Sequence, residues 1–358
     1  NVYLTLTRNA ATFSERGATA NQRQSAAAAE ALRCGAALFD ALVVLDAASA
    51  RTAFDQVSGE IHASTRTALL DDSRFLRDAL LTATAAGSGR TVWAQAYGNW
   101  GQIDGDGNAA LLDRDGRGFF AGVDVPLGEI FSAGLGGGLS SADYEVGARS
   151  SSAELDSRHV AARLSGRFGP FTAMLGAGYS WHGVTTKRTV AFGGFTDQAA
   201  ADYDARTTQA FAELRYALPL GRVELEPFVS LAHVSIDTDA FQESGGAAAV
   251  SGDEGQNRAT FTTLGLRGAV GLGPVRLRGS LAWRRAFDAE AGRSTLLFAG
   301  GNTRFTIGGV AIDEDAVDAS LGADISLGGG ARLGATYTAL VGDRSEDHGL
   351  RAVFVLPF

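Results

Sequence analysis

The sequence predicts an all-β membrane protein, a 12-stranded antiparallel transmembrane β-barrel with an N-terminal α-helix threaded through the lumen. From Thr91 to the last residue, apolar side chains alternate with small or polar ones, and this period of two is that of a β-strand. Residues 20–86 are instead rich in Ala, Leu, Arg and Asp and contain no proline, which favours helix. No apolar run approaches the ~20 residues that a membrane helix needs, so strands must span any membrane.

Composition is typical of closely packed strands and excludes several classes of partner. Glycine provides 47 of 358 residues, about 13%, where roughly 7% is usual, and only 6 residues are proline. The formal net charge of −9 argues against a nucleic-acid partner, which would need a basic face. Cys34 is the only cysteine, which excludes an intramolecular disulfide and a cysteine-rich metal site. Because the histidines show no metal-ligand spacing, we expect neither a metal nor a cofactor.

The first ten residues have the pattern of a short strand. Val2, Leu4 and Leu6 alternate with Tyr3 and Thr5, and we interpret residues 1–10 as the remnant of β-structure that continues upstream. The sequence begins without a methionine or a signal peptide, so we interpret it as a mature or excised fragment.

Two helices are expected before the barrel. Residues 11–48 form a helical linker whose helix covers 21–47, with Asn21 as its N-cap. Residues 49–86 form a second helix that starts near Ser49. Charged side chains lie on most faces of this helix: Asp55, Glu60, Arg66, Asp71, Asp72, Arg74, Arg77 and Asp78. A solvated surface helix would explain this polarity, and a helix enclosed in a polar channel is the alternative.

Twelve segments show the alternation of a strand. They lie at 91–101, 117–127, 130–143, 153–168, 171–187, 203–217, 222–238, 257–272, 274–287, 313–327, 331–342 and 347–358. An even number is what a closed bacterial barrel requires, and closure removes the unpaired strand edges that lipid does not tolerate. In the segment at 153–168, Val160 and Leu164 lie on one face of the strand and Arg163 and Arg167 lie on the other. Because an arginine at the bilayer midplane costs about 2–4 kcal/mol, the apolar parity must face outward.

The links between segments alternate between long and short, as in outer-membrane barrels, whose periplasmic turns are short and whose outer loops are long. The long links include 102–116, 188–202, 239–256 and 288–312, and the short ones are G-E, G-P, P-L-G, G-P and G-G-G. The first strand therefore starts, and the last strand ends, on the periplasmic side. The second helix must then run through the lumen from the periplasmic side. This places residues 1–45 outside the cell. About 35 helical residues reach ~50 Å, enough for a ~30 Å hydrocarbon core.

Four stretches of the sequence carry a family resemblance. They are A-R-T-A-F-D-Q-V-S-G-E-I-H-A-S-T-R-T-A-L-L-D-D-S-R-F-L-R-D-A before the barrel, V-W-A-Q-A-Y-G-N-W-G followed by D-G-D-G-N, D-Y-D-A-R-T at 202–207, and the closing strand that ends at Phe358. Together they resemble the translocator β-domain of bacterial autotransporters, the type V secretion family, over residues 12–358. The resemblance implies a non-enzymatic outer-membrane barrel that exports an N-terminal passenger to the cell surface, of which residues 1–10 look like the last part.

The resemblance also implies partners. The barrel-assembly machinery and periplasmic chaperones would deliver the chain to outer-membrane lipids, and Phe354, Leu356 and Phe358 resemble the C-terminal signal that this machinery reads. A monomer is expected. Some family members cleave themselves in the pore with an Asn pair in the helix, but this chain has no Asn between Ser49 and Gly89. An uncleaved or externally processed passenger is therefore expected.

The predicted site is the contact between the helix and the charged lining of the lumen. The residues that we expect to form it are all charged and face inward: Arg66, Arg74 and Arg77 on the helix, and Glu213, Glu224, Glu226, Asp324 and Arg351 on the barrel. We expect each of the three glutamates to lie within reach of a helix arginine. Such pairs would hold the plug in place, and gating by the same pairs is the sharper version of this hypothesis.

Two other functions stay open at this point, an outer-membrane barrel enzyme of the protease or phospholipase type and a passive porin. His233, Ser235 and Asp237 are the residue types of a hydrolytic triad, but they continue the outward face of a strand, where no pocket is expected. We therefore expect no catalytic residue. The glycine run at 134–138 lies inside an alternating strand, so we interpret it as small residues that make room for the helix and not as a phosphate loop.

Overall fold

The computed structural model describes residues 11–82, 89–288 and 290–358. The predicted remnant at residues 1–10 and the last part of the predicted second helix, residues 83–86, lie outside the described residues. In the part of the chain that the structure describes, no helix is both long enough and apolar enough to cross a membrane.

Twelve antiparallel strands close into a barrel, as the sequence predicts. The strands are β1 Thr91–Ile103, β2 Leu112–Leu127, β3 Phe131–Val146, β4 Ser151–Phe168, β5 Phe171–Phe192, β6 Phe195–Tyr216, β7 Val223–Thr238, β8 Gly255–Leu272, β9 Val275–Phe287, β10 Asp315–Ser326, β11 Arg332–Gly342 and β12 Ser345–Pro357. The barrel closes where β1 pairs with β12, from Thr91 opposite Pro357 to Ile103 opposite Ser345. Each barrel strand therefore has a partner on both sides.

The outer face of the barrel is an apolar belt, which confirms the predicted facing. Leu135, Leu164 and Leu321 are 64%, 44% and 70% exposed, whereas the inward-facing Arg163 is buried. Exposed aromatic side chains bound the belt at both ends: Trp100, Trp181 and Trp283 at one end, and Phe131, Phe168 and Phe171 at the other. Between Phe171 and Trp181 the tilted β5 rises by about 25 Å along the barrel axis. This is the height of the lipid-facing band of an outer-membrane barrel.

The two ends of the barrel differ. Tight turns at 128–130, 169–170, 273–274 and 327–331 join the strands at one end, which we call the short-turn mouth, and the loops 104–111, 239–254 and 288–314 lie at the other, the long-loop mouth.

The long loop predicted at 188–202 is wrong, because β5 and β6 continue beyond the apolar belt and meet in a tight hairpin. Gly193 and Gly194 have φ of 52° and 85°, which a two-residue hairpin turn requires and which glycine adopts without strain. Phe192 and Phe195 stack on each other beside the turn, with ring centroids 5.1 Å apart.

Between residues 11 and 82, the described part of the helical segment, there are five α-helices where the sequence predicts two. They are α1 Ala20–Ala31, α2 Ala37–Leu42, α3 Ala47–Gln56, α4 Glu60–Asp72 and α5 Arg74–Thr82. The left-handed backbone of Arg33, Gly35 and Gly59, with φ of 68°, 95° and 69°, ends helices that the composition would continue. Every residue of α4 from Glu60 to Asp71 is buried. The alternative of a solvated surface helix is therefore wrong for this part of the chain.

The N-cap of the first helix is Thr19 instead of the predicted Asn21. The Thr19 hydroxyl accepts a hydrogen bond from the backbone N–H of Gln22, and the Gln22 side chain bonds back to Thr19, so the two residues form a capping box. Asn21 binds a loop of the long-loop mouth instead. Its side chain donates to the carbonyl oxygen of Gly308 at 2.7 Å and accepts from the Gly308 N–H at 2.9 Å.

An apolar core fills the long-loop mouth. Phe54, Ile61 and Leu70 of the helices pack there with the inner faces of the strands and with a small sheet formed by the loops. The four strands of this sheet are Phe241–Gln242, Val250–Gly252, Arg293–Phe298 and Phe305–Gly308. The sequence does not predict this sheet, because its strands are too short to show a period. Packed apolar side chains, and not a hydrated ion-paired lining, therefore close this half of the lumen.

Glu243 ties the small sheet to the helix and to the wall. Its carboxylate accepts hydrogen bonds from Arg188 at 2.6 and 2.7 Å, from His62 Nε2 at 2.9 Å and from the backbone N–H of Val250 at 2.8 Å. Burial by itself would raise the pKa of Glu243, but the charge and hydrogen bonds of Arg188, together with His62, outweigh burial and hold the pKa well below its ordinary value of 4.5. Glu243 is therefore an ionised acceptor.

Inward-facing glycines make room for the aromatic rings of neighbouring strands. A Cβ on Gly136 would lie 2.9 Å from Trp93, and a Cβ on Gly138 would lie 2.4 Å from Phe120. The interpretation of this glycine run as space for the helix is therefore wrong, because the rings occupy that space. Trp93 and Phe120 in turn pack against α5.

Replacing Gly122 with Ala should lower the melting temperature of the barrel. The added Cβ would lie 2.4 Å from the Trp93 ring and 2.5 Å from the carbonyl oxygen of Leu135, and the backbone oxygen has no room to move. Overpacking of this kind costs about 1–3 kcal/mol. The heat-dependent gel mobility of the folded barrel measures the effect. Gly271→Ala is the matched control, since a Cβ there meets no atom within 4 Å; equal melting temperatures for the two variants would contradict the prediction.

Replacing Glu243 with Gln should destabilise the protein most at neutral pH. The folded pKa lies below the unfolded one, so the stabilisation is fully present above pH 4.5 and is lost as the pH falls below that value. The free energy of unfolding of the wild type and the variant, compared from neutral pH down to about pH 3, should therefore converge on the acid side. Glu254→Gln, at an exposed position, is the control. A difference that is independent of pH would show that the charge of Glu243 is not the cause.

Candidate functional site in the barrel lumen

Helix α5 lies inside the barrel with an apolar side and a charged side. Leu76 and Leu80 are buried against Phe120, Met174 and Phe211 on the inner faces of β2, β5 and β6. The charged side carries Arg74, Arg77 and Asp78, which line a cavity between the helix and the opposite wall. The helix therefore rests on one wall and leaves space at the other.

Three arginines converge on Asp71, at the end of α4. Arg284 of β9 lies 2.8 Å from Asp71 Oδ1 and Arg114 of β2 lies 3.0 Å from Asp71 Oδ2. Arg74, one turn further along the chain, bonds the same carboxylate. The Arg114 side chain is completely buried, and those of Asp71, Arg74 and Arg284 are at most 8% exposed. Asp71 is thus fixed to two separate strands of the barrel.

Two further carboxylates complete the cluster. Asp72 lies 3.0 Å from Arg114 and accepts a hydrogen bond of 2.7 Å from the hydroxyl of Tyr144 on β3. Asp347 of β12 lies 2.6 Å from Arg74 and 3.4 Å from Arg114. We call this set of three carboxylates and three guanidinium groups the ionic collar: Asp71, Asp72, Arg74, Arg114, Arg284 and Asp347.

The ionic collar carries no net charge, and this balance allows it to be buried. Removing a charge from water costs several kcal/mol, which is recovered only when each charge has close partners of opposite sign. Such a cluster adds little net stability compared with an apolar one, but the loss of one member costs about 3–5 kcal/mol because its partners stay buried without compensation. The ionic collar therefore selects one position of the helix within the barrel.

Two barrel arginines bind the last turn of α5. Arg163 of β4, which is paired with Asp124 at 2.8 Å, donates to the carbonyl oxygen of Leu80. Arg215 of β6 donates to the carbonyl oxygen of Leu81 at 2.7 Å. Both carbonyl groups lie close to Thr82, the last described residue of α5. Two strands of the wall thus bind the backbone of the helix that they enclose.

The predicted pairing of the barrel glutamates with helix arginines is wrong. Glu213 binds Arg215 and lies 2.8 Å from Arg267, Glu226 lies 3.5 Å from Arg267, and Glu224 lies 2.5 Å from Arg276. Inward positions on adjacent strands are direct neighbours, as Arg267 is opposite Glu226 in the β7–β8 pair. These arginines of the wall lie closer to the glutamates than the helix arginines do. The glutamates therefore form their ion pairs with the wall.

The other predicted residues have separate environments. Arg66 donates to the carbonyl oxygen of Asp253 at the long-loop mouth, and Arg77 donates to Gln209 at 3.1 Å. Asp324 lies 3.2 Å from Arg278 on the neighbouring strand. Arg351 lies 3.6 Å from Asp78 of α5 and so joins the wall to the helix. Arg74 is the predicted residue that belongs to the ionic collar.

The sequence reasoning missed Arg114 and Asp347. The predicted second strand begins at 117 and leaves Arg114 in a long link, whereas the strand begins at Leu112 in the structure. The parity of the strand carried the signal, since Arg114 lies at an even spacing from the inward-facing Phe120. Asp347 has the same parity as Arg351 and could have been found in the same way.

His233, Ser235 and Asp237, which have the residue types of a hydrolytic triad, do not contact one another. His233 Nδ1 lies 3.0 Å from the hydroxyl of Thr260, and Asp237 accepts from Gln256 at 2.6 Å. At the C-terminus, Phe354 and Phe358 are exposed on the outer face. Leu356 lies opposite Val92 of β1, and the N–H of Phe358 donates to the carbonyl oxygen of Arg90.

Comparison with known proteins identifies relatives of this chain. The family model described as "Autotransporter beta-domain" matches residues 92–338. An extracellular serine protease of Serratia marcescens is 30% identical over 312 residues, which are 83% of this chain and 30% of the relative. The chain thus spans about 30% of the length of the curated relatives that it matches.

Solved structures show the same fold. The translocator domain of the autotransporter NalP from Neisseria meningitidis matches with a TM-score of 0.69 and 21% identity, over 82% of this chain and 98% of that one. The transport unit of the autotransporter AIDA-I from Escherichia coli matches with a TM-score of 0.56 and 12% identity, over 83% and 98%. Because the family model covers most of the barrel, the chain belongs to the autotransporter β-domain family and is an outer-membrane translocator domain.

Proposed function

We propose that α4 and α5 stay in the lumen as a plug after the passenger has been exported. The ionic collar carries this proposal, because its buried charges tie the helices to β2, β9 and β12 at once. In this arrangement residues 1–10 end the passenger, 11–48 link it to the barrel, 49–86 span the pore and 91–358 anchor the domain. The apolar core at the long-loop mouth closes the pore a second time.

The proposal also gives the barrel a direction. The short-turn mouth faces the periplasm and the long-loop mouth faces the cell surface, in keeping with the short periplasmic turns of outer-membrane barrels. The C-terminus then lies at the periplasmic face and the chain before α1 at the surface. The exposed Phe354 and Phe358, with Leu356, form the signal for the barrel-assembly machinery, which receives the chain from periplasmic chaperones. The barrel is a monomer in outer-membrane lipid.

The barrel itself is not an enzyme in this proposal. The curated relatives are named extracellular serine proteases. Any such activity would belong to a passenger outside residues 91–358, whose task is anchoring and export.

Replacing Asp71 with Asn should loosen the plug. Three guanidinium groups would then face two carboxylates in a buried site, and the loss of one member of such a cluster costs about 3–5 kcal/mol. We expect trypsin to cut faster after the arginines of α4 and α5, and we expect open events in single-channel recordings. Asp343→Asn, at an exposed position, is the matched control. Unchanged trypsin sensitivity and conductance in Asp71→Asn would show that the ionic collar does not hold the plug in place.

Deleting residues 49–86 should raise the single-channel conductance several-fold, because the barrel would lose the helices that occupy its lumen. Planar bilayers measure the conductance, and heat-dependent gel mobility verifies that the barrel has folded. A folded deletion variant with the conductance of the wild type would refute the plug.

A further inference from the structure

A cavity of about 480 Å³ lies beside the charged side of α5. Its wall on β8, β9 and β10 carries small side chains, among them Thr263, Ser280, Ala282 and Ser320. Towards the short-turn mouth the lining ends at Arg167, Arg276 and Arg332, which lie at the ends of their strands. The ionic collar and the apolar core lie at the other end. The cavity is therefore a chamber that ends at the ionic collar and extends towards the short-turn mouth.

Arginine dominates the lining of this chamber. Ten arginines and six carboxylates line it. Five of these carboxylates already lie within 4 Å of an arginine: Asp78, Glu213, Glu224, Glu226 and Asp324. Arg74 and Arg284 are paired with carboxylates of the ionic collar, and the other eight arginines still outnumber the six carboxylates of the lining. The chamber therefore has an excess of positive charge that its own carboxylates do not balance.

The buried end of the chamber holds Arg77, which forms no ion pair with a carboxylate of the described residues. Arg77 is 8% exposed, and its hydrogen bond goes to the neutral side chain of Gln209. Arg77 and Arg284 lie over the same ring, with their guanidinium carbons 6.0 and 5.2 Å from the centroid of Phe261. Arg284 and Arg278 pair with Asp71 and Asp324 through their terminal nitrogens, and their buried Nε atoms have no hydrogen-bond acceptor among the described residues. A buried guanidinium group that has only a neutral acceptor, as Arg77 has, favours an anionic partner.

We propose that this chamber binds a small multivalent oxyanion of the phosphate class, which enters from the short-turn mouth. The planar guanidinium group presents paired N–H donors that match phosphate oxygens, and several such groups surround one space here. The hydroxyl groups of Ser280 and Ser320, which are hydrogen-bonded to each other at 2.7 Å, add polar atoms to the wall. Because the chamber lies on the inner face of the barrel, the anion comes from solution and not from a lipid head group, whose acyl chains would have to enter a charged lumen. This site is independent of whether the helices act as a plug.

Titration of the full chain with pyrophosphate tests the assignment. In nanodiscs of neutral phosphatidylcholine, isothermal titration calorimetry should detect binding to the wild type, and Arg77→Gln should bind at least about tenfold more weakly, as expected for the loss of a charge-assisted hydrogen bond. Arg222→Gln is the matched control, because it removes the same charge from a short turn outside the chamber and should leave the affinity unchanged. If Arg77→Gln does not fold, Arg278→Gln takes its place, with the same expected loss.

Absence of binding to the wild type, or equal affinity in Arg77→Gln and the wild type, would overturn the assignment. The titration is repeated in nanodiscs that contain phosphatidylglycerol. The same affinity in both membranes supports a soluble anion as the ligand, whereas loss of pyrophosphate binding in the anionic membrane would show that a lipid head group occupies the chamber and would overturn the entry from solution.

Discussion

The arrangement of three guanidinium groups around Asp71 is the interaction on which the rest of the lumen depends. A charged helix inside a barrel has no water on most of its surface, so each buried charge needs a partner at a fixed distance. Arg114 and Arg284 supply these partners from strands on different sides of the helix, at 3.0 and 2.8 Å. A shift of the helix by one turn would separate all of them at once. The collar thus determines both the depth and the rotation of α5.

The position of α5 divides the lumen into two unlike halves. One wall, with Phe120, Met174 and Phe211, takes the apolar side of the helix, and inward glycines leave room for its aromatic rings. The opposite wall carries small and cationic side chains and leaves a chamber. A break in the helix assists this fit, since Ser73 lies between α4 and α5 and its hydroxyl donates to the carbonyl oxygen of Leu70 at 2.7 Å.

The sequence predicts the features that follow from the local alternation of side chains. It does not predict those that depend on which residues of neighbouring strands lie opposite each other. Alternation alone predicts twelve strands and the outward face of Leu135 and Leu321, because burying an arginine in lipid is prohibitive. The same alternation does not show where a strand ends, so it leaves Arg114 in a link. The partners of Glu213 were wrong because the register that brings Arg267 close to it is not a local property. The break at Gly59 follows from a left-handed backbone, and an Ala-rich composition hides it.

The positions of the collar residues link the seat of the helix to the closure of the barrel. Arg114 lies on β2 and Asp347 on β12, on either side of β1, and Asn99 of β1 donates to Asp347 at 3.0 Å. The seat for Arg74 is therefore built across the seam where β1 pairs with β12. Before that seam forms, Asp347 and Arg114 belong to opposite ends of an open sheet and cannot neutralise the helix charges together. The charge of Arg74 is thus paired with Asp347 beside Arg114 only where β1 joins β12, in the closed barrel.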